Sequence, residues 1–426
     1  MAGFFILLII LLILFALPIA LSLGMVGLLS YIVGGHNLIN FHGQMTDGLV
    51  SFVILAVPLF ILTGEILASG AVAKRMIDFA SALVGWMAGG LAHANIVTSM
   101  LFANVSGSAV ADAASVGSIL IPEMEKRGFS KDFSVVVTAY SASIGILIPP
   151  SIGMILYAVV SDVSIARLFA AGYLPGVGYG VCLMAVSYVI AKKRAYPTHE
   201  PFAVRNVVHR FNRTWIALLI PATIIFGIVG GAFTPTEAAA ITTALAIVAA
   251  TLVYRGMRIR DLPRSFIIGA RRAANVLLLL SISSVFSHYL ITEGIPQAMA
   301  ETIMSWGLTS WQVTFVIITF LVISGIFLHG APMILMLVPI FLPLVDQIGM
   351  DRVHFGLLFI FCVVIGEQTP PVASVLLTTC GVANFPITRA WTASIPFFIM
   401  LLGYTLLIAY VPAITLSLPD LIFGKS

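Results

Sequence analysis

Two proline pairs sit inside long apolar stretches, and each forces the backbone out of a helix where a bilayer would otherwise demand one. The first closes Gly145-Ile146-Leu147-Ile148-Pro149-Pro150, and the second closes Gly366-Glu367-Gln368-Thr369-Pro370-Pro371. Proline carries no amide hydrogen, and its ring clashes with the carbonyl one turn back. A doublet following a glycine therefore ends a helix. In hydrocarbon, the freed carbonyls and amides are costly unless something binds them. Such a break persists only where protein buries it or where it lines a polar cavity, and in transporters that cavity commonly holds coupling ion and substrate.

The breaks also mark an internal duplication. Pro149 and Pro370 stand 221 positions apart, and the same offset brings Pro122 onto Pro343, Pro150 onto Pro371 and Pro175 onto Pro396. It also brings Gly128 onto Gly349 and Gly145 onto Gly366, with Ile119, Ile144 and Leu156 meeting Ile340, Ile365 and Leu377. Apolar matches carry little weight in so apolar a chain. Prolines and glycines carry more, because they are scarcer and fix backbone shape.

Of 426 residues, 60% are hydrophobic and only 9% charged, against about 25% charged in a soluble domain. The chain is therefore expected to be an all-α, polytopic membrane protein. Long apolar runs without alternation argue against a strand barrel. The net charge of +4 is modest, and its clustering in a few loops is a signature of membrane orientation, not of nucleic-acid binding. Cys182, Cys362 and Cys380 all fall in apolar runs and read as reduced packing residues, without metal-ligand spacing. Met1-Ala2-Gly3-Phe4-Phe5 lacks the cationic start of a cleaved signal, so 4–33, with Pro18 inside, reads as a retained first span.

Stretches 4–33, 50–69, 133–160, 167–191, 214–232, 238–254, 266–290, 353–382 and 392–416 are long enough to cross, since about 20 residues span the hydrocarbon. Regions near 95–125 and 311–347 are long but interrupted by small and polar residues, and read as re-entrant helical hairpins. Stretches 74–92 and 294–308 read as interfacial helices. The chain divides into scaffold helices over 1–73, a first transport repeat over 74–191, a basic loop with further scaffold helices over 192–293, and a second transport repeat over 294–426. Basic clusters at Lys192–Arg213 and Arg255–Arg272 place both loops in the cytoplasm, as do Lys74 and Arg75 for the N-terminal end. The first hairpin then opens inward beside Lys126, Arg127 and Lys131, and the second opens outward beside Asp346 and Asp351. The repeats are thus inverted, the number of crossings is odd and the C-terminus is external. Inverted repeats suit a molecule that exposes one site to either side in turn.

The residues with chemical potential cluster at the hairpins and breaks. The first hairpin holds Asn104-Val105-Ser106-Gly107-Ser108-Ala109-Val110-Ala111-Asp112. Gly107 permits a tight tip, the hydroxyls supply oxygen, and a carboxylate at membrane depth is usually functional; close packing and helix capping are the plainer roles for the same residues. Hard cations favour oxygen ligands. One cation site is expected from Ser106 with the carbonyls of Gly145, Ile148 and Pro149, and a second from Gly325, in Ser324-Gly325, with Gly366 and Thr369. The half-helices after the prolines begin at Ser151 and Val372 and direct free amides toward the breaks, which suits an anion. Candidate anion contacts are Ser108, Asp112, Pro150, Ser151 and Pro371. Glu367 reads as a charge neutraliser, a proton carrier or a solvated cavity lining. Glu65 is expected to pair with Lys74 or Arg75, and His288 and His329 either relay protons or hydrogen-bond within the bundle. Thr234-Pro235-Thr236-Glu237 reads as a helix cap, and Trp86, Trp215, Trp306, Trp311 and Trp391 read as interfacial anchors.

Taken in order, four segments resemble the large membrane subunit of tripartite ATP-independent periplasmic (TRAP) transporters, the DctM-like family. They are Pro58-Leu59-Phe60-Ile61-Leu62-Thr63-Gly64-Glu65, Ser106-Gly107-Ser108-Ala109-Val110-Ala111-Asp112, Gly145-Ile146-Leu147-Ile148-Pro149-Pro150-Ser151 and Phe233-Thr234-Pro235-Thr236-Glu237-Ala238-Ala239. The resemblance covers essentially the whole length. It implies an inverted-repeat elevator transporter with two re-entrant hairpins and two broken helices, coupled to sodium and using no other cofactor. It implies a small four-helix membrane partner and a periplasmic substrate-binding protein, with an organic acid of the sialic acid or C4-dicarboxylate type as cargo, the lean being toward sialic acid. The family's ion sites map onto Ser106 with Gly145–Pro149 and onto Gly325 with Gly366–Thr369, the second set lacking a Ser-Gly-Ser copy. Because the chain starts directly at an apolar stretch, the small subunit is expected as a separate polypeptide.

Other readings are a carrier of the same superfamily that needs no delivery protein, an intramembrane lipid-modifying enzyme, and a passive channel. No paired-carboxylate motif, nucleotide loop or selectivity filter supports the last two.

Overall fold

Helices supply every regular element among the described residues. The computed structural model describes the chain apart from residues 1–3, 6, 7, 10, 13, 14, 16, 69, 425 and 426, and describes only the backbone at 70 and 104–106. An N-terminal group comprises α1 (Ile19–Val33), α2 (Leu38–Asp47) and α3 (Ala56–Leu67), the last entered through a 3-10 turn at Phe52–Leu55. Pro18 stands at the N-cap of α1 and not inside it, a position where its missing N–H leaves no bond broken. The stretch before it, 4–17, includes residues outside the description.

The first repeat follows: α4 (Gly70–Val84), the hairpin arms α5 (Gly90–Ser106) and α6 (Ala109–Lys126), the broken helix α7 (Lys131–Ala142), α8 (Ile144–Leu147) and α9 (Ile152–Ser161), and the long α10 (Ile165–Lys193). A basic loop leads to α11 (Val204–Ile224), α12 (Pro235–Val248) and α13 (Leu262–Thr292). The second repeat runs through α14 (Ile295–Ser305), the arms α15 (Ser310–Phe327) and α16 (Gly330–Gln347), the broken helix α17 (Arg352–Gln368) and α18 (Ser374–Ala383), then α19 (Ile387–Tyr410) and α20 (Ala413–Phe423). By length and composition, 8 helices among the described residues can cross a membrane, or up to 9 if a pair bent by 58° at 48–51 counts as one. Both arms of the second hairpin pass that test, since length alone does not separate a crossing from an arm that turns back.

The duplication is visible in the element boundaries. Shifted by 221 residues, α6 lands on α16 at both ends, and α5 lands on α15 within one residue. The paired prolines occupy matching helix interiors, Pro122 and Pro343 in the second arms, Pro175 and Pro396 in α10 and α19. The repeats are also interleaved. The half-helix after the first break, α9, packs on the second hairpin arm α16, and α18 after the second break packs on the first hairpin arm α6. Glycines make the close approach: a Cβ on Gly153 would stand 3.3 Å from Ile334 and 3.2 Å from Ile360.

Around this core, α3 packs against α12 and α13, and α1 against α13. Glu65 on α3 pairs with Arg272 on α13, Oε2 to Nη1 2.6 Å, and not with Lys74 or Arg75. Side-by-side packing of α3 and α13 puts Arg272 within reach, whereas Arg75 lies 4.4 Å over the Tyr254 ring and donates to the Arg213 carbonyl at 3.1 Å. Thr234 and Glu237 form the expected capping box at the start of α12, with Pro235 in its first turn. Cys182 is half-buried, Cys362 and Cys380 are buried, and all three are free. Trp86, Trp215, Trp306 and Trp311 are exposed, while Trp391 packs edge-on against Phe398.

Candidate functional site: two proline breaks seated on two hairpins

In the first repeat, the helix unwinds between Ile148 and Ser151, both in extended conformation, across a cis Pro149–Pro150 bond. Pro149 and Pro150 lack the N–H groups that would bind the carbonyls of Gly145 and Ile146. The hairpin tip rests on this break. Gly107 is left-handed at φ +59°, and a Cβ there would stand 2.9 Å from the Pro150 carbonyl oxygen and 3.3 Å from the Ile152 nitrogen. Only glycine meets both demands, the positive φ and the close approach. At the head of the break, a Cβ on Gly145 would collide with the Asp112 carboxylate. Asp112 is fully buried in the first turn of α6, at the positive end of that helix.

Ser108 N-caps α6, its hydroxyl accepting from the Ala111 amide at 3.5 Å, and Ser151 N-caps α9, accepting from Met154 at 3.4 Å. The hydroxyls proposed as anion contacts thus also fix the two helix starts. Ser106 ends α5 beside the tip, and its side chain lies outside the description. A buried polar seam ties the arm α5 to α7: Asn95 donates to Thr138 at 2.6 Å and accepts from Ser141 at 3.1 Å.

In the second repeat the contact lies in the helical turn just before the break. Gly325 on α15 meets Gly366 on α17 backbone to backbone; a Cβ on Gly325 would stand 3.2 Å from the Gly366 Cα, and a Cβ on Gly366 would collide with Gly325. Thr369 is extended, and its hydroxyl donates to the Ile365 carbonyl at 2.6 Å. The unwound segment crosses the cis Pro370–Pro371 bond and continues through Ala373, which is left-handed at φ +35°. The following half-helix therefore starts at Ser374, two residues later than the expected Val372, because no serine stands after Pro371 to cap it as Ser151 does. Glu367 lies beside Gly330, the first residue of α16, where a Cβ would stand 3.4 Å from its Oε1. His329 occupies the N-cap position of α16. His288 lies elsewhere, in a cavity of about 310 Å³ with Gln44, Asp47, Ser287 and Leu335.

One residue at the site drew no attention in the sequence. Gln368 is fully buried, and its Nε2 donates to the Ala139 carbonyl at 2.9 Å and to the Ser143 hydroxyl at 2.7 Å. It thereby joins the second break to the first broken helix. The available signal was its polar amide at the place that Leu147 fills in the first repeat. Among the described residues, no group of three or more His, Cys, Asp or Glu side chains is arranged to hold a metal ion. The oxygens at the breaks come from main chain and hydroxyls, with the carboxylates of Asp112 beside the first and Glu367 beside the second, a set that suits hard cations.

Two interleaved repeats, each with a hairpin packed at a proline-broken apolar helix, define a polytopic membrane transporter. The fold matches a solved one: the crystal structure of the Alcanivorax borkumensis YdaH transporter aligns with TM-score 0.62 over 88% of this chain and 87% of that one, at 12% identity. The DctM component of the tripartite ATP-independent periplasmic transporter matches residues 6–414. Similar proteins include the C4-dicarboxylate TRAP transporter large permease protein DctM of Pseudomonas aeruginosa, 36% identical over 87% of this chain and 86% of that one. The sialic acid TRAP transporter large permease protein SiaM of Vibrio cholerae is also 36% identical, over 96% of each chain. The isethionate TRAP transporter permease protein DctMQ of Oleidesulfovibrio alaskensis is 34% identical over 93% of this chain and 63% of its own. The chain belongs to the DctM family of TRAP transporter large permeases. It is a transport protein of the inner membrane and not an enzyme.

Proposed function

We propose that this chain performs sodium-driven secondary active uptake of a small organic anion, handed to it by a periplasmic binding protein and supported in the bilayer by a small membrane subunit. The observation that carries the reading is that each proline break is met by a glycine contact from its hairpin, Gly107 at the tip on Pro150 and Gly325 on Gly366, the latter in the helical turn just before the second break. Main-chain oxygens freed by proline in a membrane interior call for a cation. Gly145, Ile148 and Pro149 with Ser106 form one proposed sodium site, and Gly325, Gly366 and Thr369 the other. Ser108, Asp112, Pro150, Ser151 and Pro371 flank the breaks and are the proposed surroundings of the anion. The named cargoes of the three relatives, a C4-dicarboxylate, sialic acid and isethionate, are all acids, which supports an organic anion. Near-equal identities to these relatives give no preference among cargoes, so the substrate class stays at organic acid. In this reading the hairpins and broken helices slide as one unit past the scaffold helices.

Proteoliposomes holding the chain with its small subunit and binding protein should accumulate the anion only with sodium outside. Uptake that persists in choline at the same membrane potential would refute the coupling. Thr369→Ala should raise the sodium concentration for half-maximal uptake about tenfold, the effect of one lost cation-ligating or charge-assisted bond.

A further inference from the structure

The two proposed cation sites lie in different repeats, and the Gln368 side chain reaches from one broken helix to the other. We infer that Gln368 is a positioning residue that couples the two sites, so that ordering of one break promotes ordering of the other. This inference rests on the reading of the breaks as cation sites.

The argument begins with placement. Gln368 is the last helical residue of α17, directly before Thr369 and two residues after Gly366. Its backbone is thus part of the second break. Its side chain leaves that repeat and ends on the first broken helix, donating to the Ala139 carbonyl at 2.9 Å and the Ser143 hydroxyl at 2.7 Å. Ser143 is fully buried, occupies the N-cap position of α8, the turn that carries Gly145 into the first break, and donates its own hydroxyl back to the Ala139 carbonyl at 3.4 Å. Any shift of the Gly366–Thr369 segment is therefore transmitted to the turn that presents the Gly145 and Ile146 carbonyls. Both ends of the link are sealed from solvent, so water cannot take over the hydrogen bonds when they break, and their geometry is enforced.

The chemistry also argues against simple packing. Position 147, the counterpart in the first repeat, is a leucine that fills its place by volume alone. A primary amide buried at the equivalent point must satisfy its donors, and it does so only across the repeat boundary. Its Oε1 is buried and accepts no hydrogen bond among the described residues. The amide is thus held through its nitrogen while its oxygen stays available beside the break. Coupling of this kind is reciprocal: whatever ordering of the second site does for the first, ordering of the first does for the second.

The test reads sodium binding directly. The purified full-length chain, co-purified with its small subunit, is titrated with sodium at constant ionic strength against choline, and the rise in melting temperature is fitted for midpoint and Hill coefficient. The unaltered protein should give a Hill coefficient clearly above one. Gln368→Met keeps the length and volume of the side chain but removes both donors. It should bring the coefficient to about one and raise the midpoint about fivefold to tenfold, the usual span of such coupling. Ser143→Ala removes one acceptor and should move both values the same way by less. Combined with Gln368→Met it should add little further, because the two act through one bond. A sodium-dependent melting temperature with an unchanged Hill coefficient in both variants would overturn the inference and leave the cation sites standing. If sodium does not move the melting temperature of the unaltered protein, the reading of the breaks as cation sites falls first. Should Gln368→Met fail to fold, Ser143→Ala alone decides: no change in its Hill coefficient overturns the proposal.

Discussion

Three glycines at the breaks have different neighbours, and the difference sets the order in which substitutions should harm the protein. A methyl on Gly366 would meet the oxygen, carbon and Cα of Gly325, all backbone. Backbone on the facing helix cannot rotate away, so the hairpin arm itself must shift. A methyl on Gly145 would meet the tip of the Asp112 side chain, which can turn aside at the cost of its present seat. Gly325 is intermediate, its added methyl standing 3.2 Å from the Gly366 Cα. Gly366→Ala should therefore destabilise by about 2–3 kcal/mol and Gly145→Ala by about 1 kcal/mol, within the range for overpacking. Thermal melts of the purified variants check the order; a Gly145→Ala protein less stable than Gly366→Ala would contradict it. The residue scale was partly open to sequence. Gly145, Gly366 and the prolines announce themselves because their types fix backbone shape. Gln368 does not, since nothing about an amide in one repeat says that it reaches a carbonyl in the other.

At the scale of elements, local signals fared well and pairing between elements did not. The Thr234 to Glu237 cap was legible because all its atoms lie within four residues, and the structure contains both of its reciprocal hydrogen bonds, 3.3 Å and 2.8 Å. Thr234→Ala removes the acceptor for the Glu237 amide and should cost about 1 kcal/mol, seen as a small drop in melting temperature without any change in sodium dependence. A change in the sodium midpoint would mean that α12 reports on the ion sites, contrary to its place against α3. The partner of Glu65 was not legible, because the choice between Arg75 and Arg272 depends on which helices lie side by side. The 221-residue offset carries α6 onto α16 without a slip, but the first arm begins at Gly90, inside the stretch 74–92 that reads as an interfacial helix. The exchange of half-helices between repeats was not legible. A sequence offset gives equivalence between elements, and packing of α9 on α16 is a contact between elements that are not equivalent.

That exchange decides which parts of the molecule can move together. With α9 on α16 and α18 on α6, each half-helix after a break is seated on the hairpin of the other repeat, so the proposed sliding motion would carry both hairpins and both broken helices together. The scaffold group also packs on these elements, α13 on α16 and α3 on α5. Ser287 on α13 donates to the Leu335 carbonyl on α16 at 3.2 Å, beside the cavity of about 310 Å³ that separates α2 and α13 from α9 and α16. In the proposed elevator motion, this face between α13 and α16 is one that must part. A cysteine pair tests this in a background where Cys182, Cys362 and Cys380 are replaced by alanine. Ser287→Cys with Leu335→Cys, joined by a short bifunctional maleimide beside that cavity, should abolish uptake, because the bond pins α16 to α13. The same double variant left unlinked should still transport, which separates the effect of the link from that of the substitutions. Uptake that survives the cross-link would show that cargo passes without relative motion of α13 and α16.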